Sequence, residues 1–352
     1  MGLQTHPCPA NPATHEVLLH CETLRVTNIA LQGRILEILL EHCGNFVPAA
    51  TFTGSAGVSQ AELVPLIASL QSQGVSISVS SADGYRLNAL PDRLVPPLIQ
   101  QGLKTARAAR EIHYFIQTDS TNRIAKEMAA QGAAEGTLVI AEEQTGGRGR
   151  MDRTWVSDPF SSILCSIIFY PGLSPSSLFR LTMMASVAVV RAIQVVCKLP
   201  AQIKWPNDVY IGNKKVCGIL TEFAAERDRV QYAVVGIGIN VNDEFRSAPE
   251  LAAIATSLKN ECGRTISRRA LLQQLLEELD HRYETLLQGS VVELKTLWEH
   301  HSMILNRKVT IASAQDLMEG TARGITDDGH LLLEDVSGTI REIVSGDVSL
   351  RM

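Results

Sequence analysis

From residue 35 to residue 85 the chain contains no lysine and no arginine, while Glu37, Glu41, Glu62 and Asp83 leave that stretch acidic. Binding to nucleic acid draws much of its energy from cations that neutralise phosphates and release counterions. This segment therefore lacks the electrostatic basis for it, and the whole chain, at a formal −5, supplies no general attraction either. The seven cysteines (8, 21, 43, 165, 197, 217 and 262) are odd in number and form no C-x-x-C pair. That excludes a disulfide framework and a cysteine-based structural metal, and it predicts reduced thiols in a cytoplasmic protein. No basic region followed by an apolar core marks a secretory signal. The longest apolar stretch, 178–199, carries Arg180, Arg191 and Lys198. Its uncharged interior is too short for a bilayer, so it reads as a buried helix and no membrane partner is expected. Also missing is G-x-x-x-x-G-K-[ST]. The G-x-G at Gly236 and Gly238 meets Val241 where a dinucleotide fingerprint needs glycine, and no helix visibly follows. A nucleotide, if used, is held by another device.

At 352 residues with 45% hydrophobic and 20% charged residues, the chain has the profile of a globular protein of two or three domains. Residues 1–24 have no clear period and read as a mobile tail. Residues 25–90 read as helix, helix–turn–helix and β-hairpin, the order of a winged helix. The signals are an apolar helix over 34–43 ended by Gly44, a capping box at Ser59 and Glu62, and a turn at Asp83-Gly84 between alternating segments. Pro91, Pro96 and Pro97 punctuate a linker over 91–110. Residues 111–302 mix strands (137–141, 163–170, 209–211, 216–221, 232–241) with helices (120–131, 177–198, 267–287), an α+β core. Residues 303–352 return to short strands with turns at Asp327-Asp328-Gly329 and Ser337-Gly338, which fits a small β-barrel.

The most informative segment is Gln144-Thr145-Gly146-Gly147-Arg148-Gly149-Arg150-Met151-Asp152-Arg153-Thr154-Trp155. Its glycines let backbone approach a ligand closely. Three arginines in six residues repel one another unless an anion sits among them, and their forks match phosphate or carboxylate oxygens. A solvated basic loop is the plain alternative. In Lys204-Trp205-Pro206-Asn207-Asp208 a lysine stands at a strand end, with Asn207 and Asp208 offering metal or hydroxyl contacts. The strands 215–222 and 236–242 carry Gly218, Gly236 and Gly238, where a ligand or helix can come close. Cys217 reads as hydrophobic filler, and His300-His301 as a surface pair without a third metal ligand.

The series Asp119-Ser120-Thr121-Asn122, Gly147 to Trp155, Lys204 to Asp208, Lys215 to Glu222 and Gly236 to Asn240 resembles the biotin–protein ligases, specifically the bifunctional ligase–repressor type with an N-terminal winged helix. Ser345-Gly346-Asp347-Val348-Ser349-Leu350-Arg351 resembles their C-terminal, SH3-like barrel. The resemblance covers nearly the whole chain beyond the tail. It implies a mixed-sheet catalytic domain that forms biotinyl-5′-AMP from biotin and magnesium-bound ATP. Biotin then passes to a lysine of the carboxyl carrier subunit of acetyl-CoA carboxylase, and the enzyme is a homodimer. By position it implies that Ser120, Thr121, Asn122 and Gln144 bind the ureido head of biotin. Gly147, Arg148, Gly149 and Arg150 close over its carboxylate and the adenylate phosphate, with Trp155 and Gly218 beside them. Lys204 stands where carboxylate and α-phosphate meet, making Lys204, Arg148 and Arg150 the catalytic set. Arg153, Asn207, Asp208, Asn240 and Arg351 face the triphosphate and its magnesium. Where this family often has glycine, the chain has Asp152, which can pair with Arg150 or Arg153 and alter loop kinetics. Two rival readings share parts of this pattern: a lipoate–protein ligase, and a biotin-sensing regulator without catalysis. The helix from Ser59 offers Gln60, Gln71 and Gln73 to bases but no cation to phosphates, and Pro65 interrupts it. Operator binding is expected to be lost or much weakened.

Overall fold

The computed structural model describes residues 31–350 apart from Cys43, Ala56, Gln73, residues 90–91 and residues 313–316. The expected tail at 1–24 and the C-terminal Arg351 lie outside the described residues, as does the side chain of Asp152. The chain divides into two compact units, one of residues up to 91 with 95–101, the other of residues 92–94 with 102 onward.

In the first unit, helix α1 (residues 31–41) supplies Ile35, Leu36 and Leu39 to a core shared with α2 (Ala49–Ser55) and α3 (Gln60–Ser72). The capping box forms as the sequence predicts. Ser59 N–H donates to Glu62 Oε2 at 2.9 Å, and Glu62 N–H returns to Ser59 Oγ at 3.3 Å. Helix α3 continues through Pro65, so the proline is interior rather than a restart. A hairpin, β1 (Ser76–Ser80) and β2 (Gly84–Ala89), follows, and Val47 adds a two-bond bridge to Tyr85. Gly84 is required there: φ is +97°, and a Cβ would overlap the Val47 carbonyl. Of the glutamines offered to bases, Gln71 is taken, since its amide donates to the Ile77 carbonyl at 2.8 Å. Helix α4 (Pro96–Gln100) also belongs to this unit.

The second unit is built on a seven-stranded sheet in the order β3-β4-β5-β9-β8-β7-β6. Its strands are β3 (Ile112–Phe115), β4 (Leu138–Ala141), β5 (Ile163–Phe169), β6 (Ala201–Lys204), β7 (Asp208–Ile211), β8 (Lys214–Glu226) and β9 (Arg229–Ile239). Only β3 and β4 are parallel, so the sheet is mixed. Helix α5 (Thr121–Ala130) lays Ala125 and Ala129 on Ile168 and Val234. Strand alternation sends the neighbouring positions to the opposite face. There Thr221 meets Thr182 of α6 (Phe179–Cys197) at 2.8 Å. Helix α6 is apolar and long enough to cross a membrane by composition, yet it is mostly buried. It packs against α8 (Arg268–Leu287) and α9 (Val291–His301), and α7 (Leu258–Cys262) lies between in sequence. The chain is pinned where it enters this unit: fully buried Arg268 pairs with Glu142 at 2.7 Å and Asp92 at 3.0 Å, and Leu94 N–H donates to Glu142. The charges are compensated, as burial demands.

A five-stranded antiparallel sheet ends the unit. It is made of β10 (Lys308–Ala312), β11 (Leu317–Ile325), β12 (Leu331–Glu334), β13 (Ile340–Ile343) and β14 (Asp347–Leu350), ordered β13-β12-β11-β10-β14. The α+β class with a terminal antiparallel β domain is therefore as the sequence predicts.

The reading of His300-His301 as a surface pair is overturned for one member. His301 is 8% exposed, its ring 4.9 Å from that of His300. Burial first, then the charges of His300 and Arg191, push its pKa down to about 4. Below about 6.5 the unfolded chain takes up a proton that folded His301 refuses until about 4, so stability falls as pH drops through that window. His301→Gln should flatten this part of the profile, as measured by urea unfolding between pH 4 and 7. An unchanged slope in the variant would show that His301 is not its source.

Candidate functional site

Across four strands of the sheet, register sets one row side by side: Lys204 opposite Asp208, Asp208 opposite Gly218, and Gly218 opposite Gly238. The two glycines leave a bare backbone floor, and the Trp155 indole occupies it. A Cβ at Gly218 would stand 2.8 Å from Trp155 Cζ3, and one at Gly238 2.7 Å from Trp155 Cε2. Above this row opens a cavity of about 610 Å³, within the range of about 300–1,000 Å³ usual for small-molecule sites.

One end of the cavity is polar and neutral. Thr121 N–H and hydroxyl lie 2.8 and 3.0 Å from Gln144 Oε1. Asn122 donates to the Leu220 carbonyl at 3.2 Å and to Glu222 at 2.8 Å. Ser166 Oγ sits 2.8 Å from Thr121 Oγ1 and 2.6 Å from Asn122 Oδ1. Gly236 admits this arrangement, because a Cβ there would overlap Asn122 Oδ1. Ser120 also lines the cavity, and its hydroxyl caps α5 by accepting from Arg123 N–H at 3.4 Å. Below the cap, Arg123 holds the Asp119 carboxyl well below its ordinary range.

The other end is charged. The glycine–arginine segment folds as a short hairpin: Trp155 N–H donates to the Gly147 carbonyl, Arg148 bridges Thr154, and Gly149 N–H donates to the Arg153 carbonyl. Its tip is a tight turn at Arg150–Asp152 with Met151 at φ +53°. Arg150 donates to Asn207 Oδ1 at 3.1 Å, and burial lowers its pKa while Asp347 and Asp208 oppose that. Arg153 pairs with Asp347 of β14. Lys204 donates to the Tyr210 hydroxyl at 3.4 Å and lies 4.9 Å from that ring's centre. Burial pulls its ammonium below the ordinary lysine value, partly offset by Asp208. Tyr210, pushed up to about 12 by burial and by Asp208, is a neutral phenol.

Of the described residues assigned to biotin, the nucleotide or catalysis by the resemblance, all but Gly147 line this cavity. Gly147 is not on the wall; a Cβ there would stand 2.6 Å from the Trp155 carbonyl, so it lets the hairpin close. Arg351 lies outside the described residues. Asn240 presents a buried Oδ1 without a partner, an acceptor available to a ligand. Cys217 is filler: it is buried, and burial raises its thiol well above the usual range.

Four contributors were missed. Lys215 lines the cavity, pairs with Asp208 at 2.7 Å and lies 5.6 Å from the Trp155 ring. Its position just before an apolar strand with a glycine was the available signal. Ser166, fully buried, was legible as the one polar residue among six apolar ones in β5. Tyr210 and Asp347 gave no local signal. Five cationic side chains (Arg148, Arg150, Arg153, Lys204, Lys215) and two carboxylates (Asp208, Asp347) thus surround the charged end. Such a site receives an anion.

Residues 114–240 match the Biotin/lipoate A/B protein ligase family, and residues 304–351 match the Biotin protein ligase C terminal domain. The chain is 36% identical to the bifunctional ligase/repressor BirA of Bacillus subtilis, over 91% of this chain and 98% of that protein. It is 31% identical to the biotin–[acetyl-CoA-carboxylase] ligase of Mycobacterium tuberculosis, over 73% of this chain and 97% of that protein. Among solved structures, biotin protein ligase from Aquifex aeolicus in complex with biotin and ATP superposes with a TM-score of 0.58 at 30% identity. That match covers 68% of this chain and 98% of the other.

The glycine floor generates a direct prediction. Gly238→Ala should expel the Trp155 indole while Trp205 and Trp298, each at most 1% exposed, keep their seats. Trp155→Phe supplies the fluorescence difference that belongs to Trp155. If the Gly238→Ala emission matches wild type, the indole does not rest on that floor.

Proposed function

The chain belongs to the biotin–protein ligase family, and on that premise we propose that it joins biotin to a carrier-protein lysine by way of an adenylate. The biotin carboxylate displaces pyrophosphate from the α-phosphate of ATP. The acceptor amine then displaces AMP from the acyl carbon. The observation that carries this reading is a single cavity with a neutral hydrogen-bonding end and a cationic end. Thr121, Asn122, Gln144 and Ser166 suit a buried urea, whose unpaired groups would cost about 1–3 kcal/mol each. Bringing a carboxylate to a phosphate joins two anions, and fixed cations lower that barrier. Arg148, Arg150 and Lys204 carry this role, joined by Lys215. Arg153, Asn207, Asp208, Asn240 and Arg351 are assigned to the nucleotide. Magnesium takes one or two carboxylates and otherwise phosphate oxygens. Asp208 and the unpartnered Asn240 Oδ1 fit it, and it would neutralise the triphosphate. A lipoate ligase shares the family model, but the mycobacterial relative and the Aquifex structure carry biotin in their names.

We assign the acceptor to the carboxyl carrier subunit of acetyl-CoA carboxylase, following the name of the mycobacterial relative, and the work to the cytoplasm, with a homodimer on resemblance. The boundaries 25–90, 91–110, 111–302 and 303–352 are kept as winged helix, linker, catalytic domain and SH3-like barrel. The helix–helix–hairpin order of the first unit supports the winged-helix reading. Its DNA role is a separate matter, for the exposed face of α3 carries Ala61, Glu62, Val64 and Pro65 and no cation.

Mass spectrometry of a biotin acceptor domain after incubation with the protein, biotin, magnesium and ATP should show the mass of one added biotinyl group. Lys204→Ala and Lys215→Ala should each cut adenylate formation by about 10²-fold or more, by analogy with the loss of a charge-stabilising group. A pure biotin sensor would lose affinity only. An unmodified acceptor with wild-type protein would end the ligase reading. Separately, fluorescence anisotropy with the DNA upstream of the biotin-synthesis genes should detect only weak binding with biotin and ATP present. Tight binding that weakens steeply with salt would show that the winged helix still functions as a repressor.

A further inference from the structure

Resting on the ligase reading, we infer that the β11–β12 turn of the C-terminal β domain is a positioning element for the charged end of the site, acting through Trp205. The turn closes on itself: Thr326 N–H donates to the His330 carbonyl at 2.8 Å, and Gly329 N–H to the Thr326 carbonyl at 2.9 Å. Its outer face is occupied by the fully buried Trp205, whose indole N–H donates to the Gly329 carbonyl at 3.0 Å. Gly329 sits at φ +84°. A Cβ there would overlap Phe179 Cδ1 and stand 2.6 Å from Met183 Sδ, so the turn and α6 meet backbone to ring. Two ion pairs fasten the flanks, Asp328 to Arg180 at 3.0 Å and Asp327 to Lys295 at 3.3 Å.

Trp205 is the link because of what stands on either side of it. Lys204 precedes it. Asn207 follows within two residues, and its amide holds both Arg150 and the Ile219 carbonyl. Asp208, partner of Lys215, comes next. An indole held by packing and one buried hydrogen bond has a fixed orientation, and loss of that bond strands a buried donor. Movement of Trp205 therefore carries Lys204, Asn207 and Asp208 together. The neutral end is built by α5, β5 and Gln144, none of which provides the turn's fasteners. The turn thus tunes the nucleotide end and leaves the biotin head alone.

The test uses the full chain. Adenylate formation is followed by pyrophosphate release to obtain kcat and KM for ATP, and biotin affinity is measured by calorimetry without ATP. Gly329→Ala should worsen kcat/KM for ATP by about tenfold or more, since misplacement by about 1 Å can cost about 10²-fold, with the biotin Kd within about twofold. Asp328→Asn adds no bulk and should shift the same constant in the same direction by about two- to threefold; it carries the test if Gly329→Ala does not fold. Trp205→Phe, which removes only the donor and part of the ring, should reproduce the split. Biotin affinity and ATP kinetics that decline together, in step with thermal stability, would reduce the turn to a structural prop and overturn the inference. So would unchanged kinetics in every variant. A wild-type chain that forms no adenylate would instead sink the ligase reading, and this inference with it.

Discussion

Like charges gathered in a half-buried cavity must be neutralised, and the second unit is arranged around that requirement. Asp208 holds Lys215, Asp347 holds Arg153, and the Asn207 amide takes Arg150. Each partner comes from a different element: β7, β14 and the turn between β6 and β7. Two carboxylates do not balance five cations, and the residual positive field is what an incoming carboxylate and triphosphate would meet. In this low-dielectric setting a fixed cation is worth more than the same group in water. Burial already weighs on Lys204 and Arg150 enough to pull their pKa values down. An anion that arrives relieves that cost and completes the balance.

Close approach is the second condition, and glycine supplies it. Gly218 and Gly238 face one another in adjacent strands, and Trp155 lies where their side chains would be. The indole therefore joins the arginine hairpin to the sheet floor. Gly147 lets the hairpin return on itself, and Gly236 makes room for Asn122. Both ends of the cavity thus depend on absent side chains in one antiparallel pair and in the loop beside it.

Much of this was legible because its signals are local. The capping box at Ser59, the strand end at Lys204, the arginine-rich loop and the glycine-bearing strands each declare themselves within a few residues, and the structure gathers the last three around one cavity. What escaped depends on long-range pairing. Asp347 reaches Arg153 from a strand 194 positions away, and Ser166 meets Asn122 only because β5 pairs with β9 beneath α5. Gln71 read as a free surface amide because nothing nearby shows that Ile77 will turn back to receive it. His301 read as exposed together with His300 for want of a third metal ligand, yet helix periodicity places adjacent residues on different sides, and only His300 is exposed. Lys215 was seen as part of a strand, yet its ammonium crosses to Asp208 of the next strand, a pairing set by register and by the irregularity between Val209 and Tyr210.

The same local-against-distant distinction separates the two units in chemical terms. The first unit spends its charges on structure: Glu62 closes a cap, Asp83 accepts from the Ser80 hydroxyl, and Arg86 lies 4.6 Å from the centre of the Phe46 ring. None of these is a cation aimed at phosphate. In the second unit, by contrast, cationic and unpartnered polar side chains meet at the cavity. An unpartnered Asn240 oxygen and an unpartnered Trp155 N–H both cost stability if nothing binds, and Gly218 and Gly238 forgo strand side chains to seat the Trp155 indole. A fold selected only for stability would pair those atoms. At the cavity wall, beside the arginine hairpin, ligand chemistry accounts for what stability alone leaves unexplained.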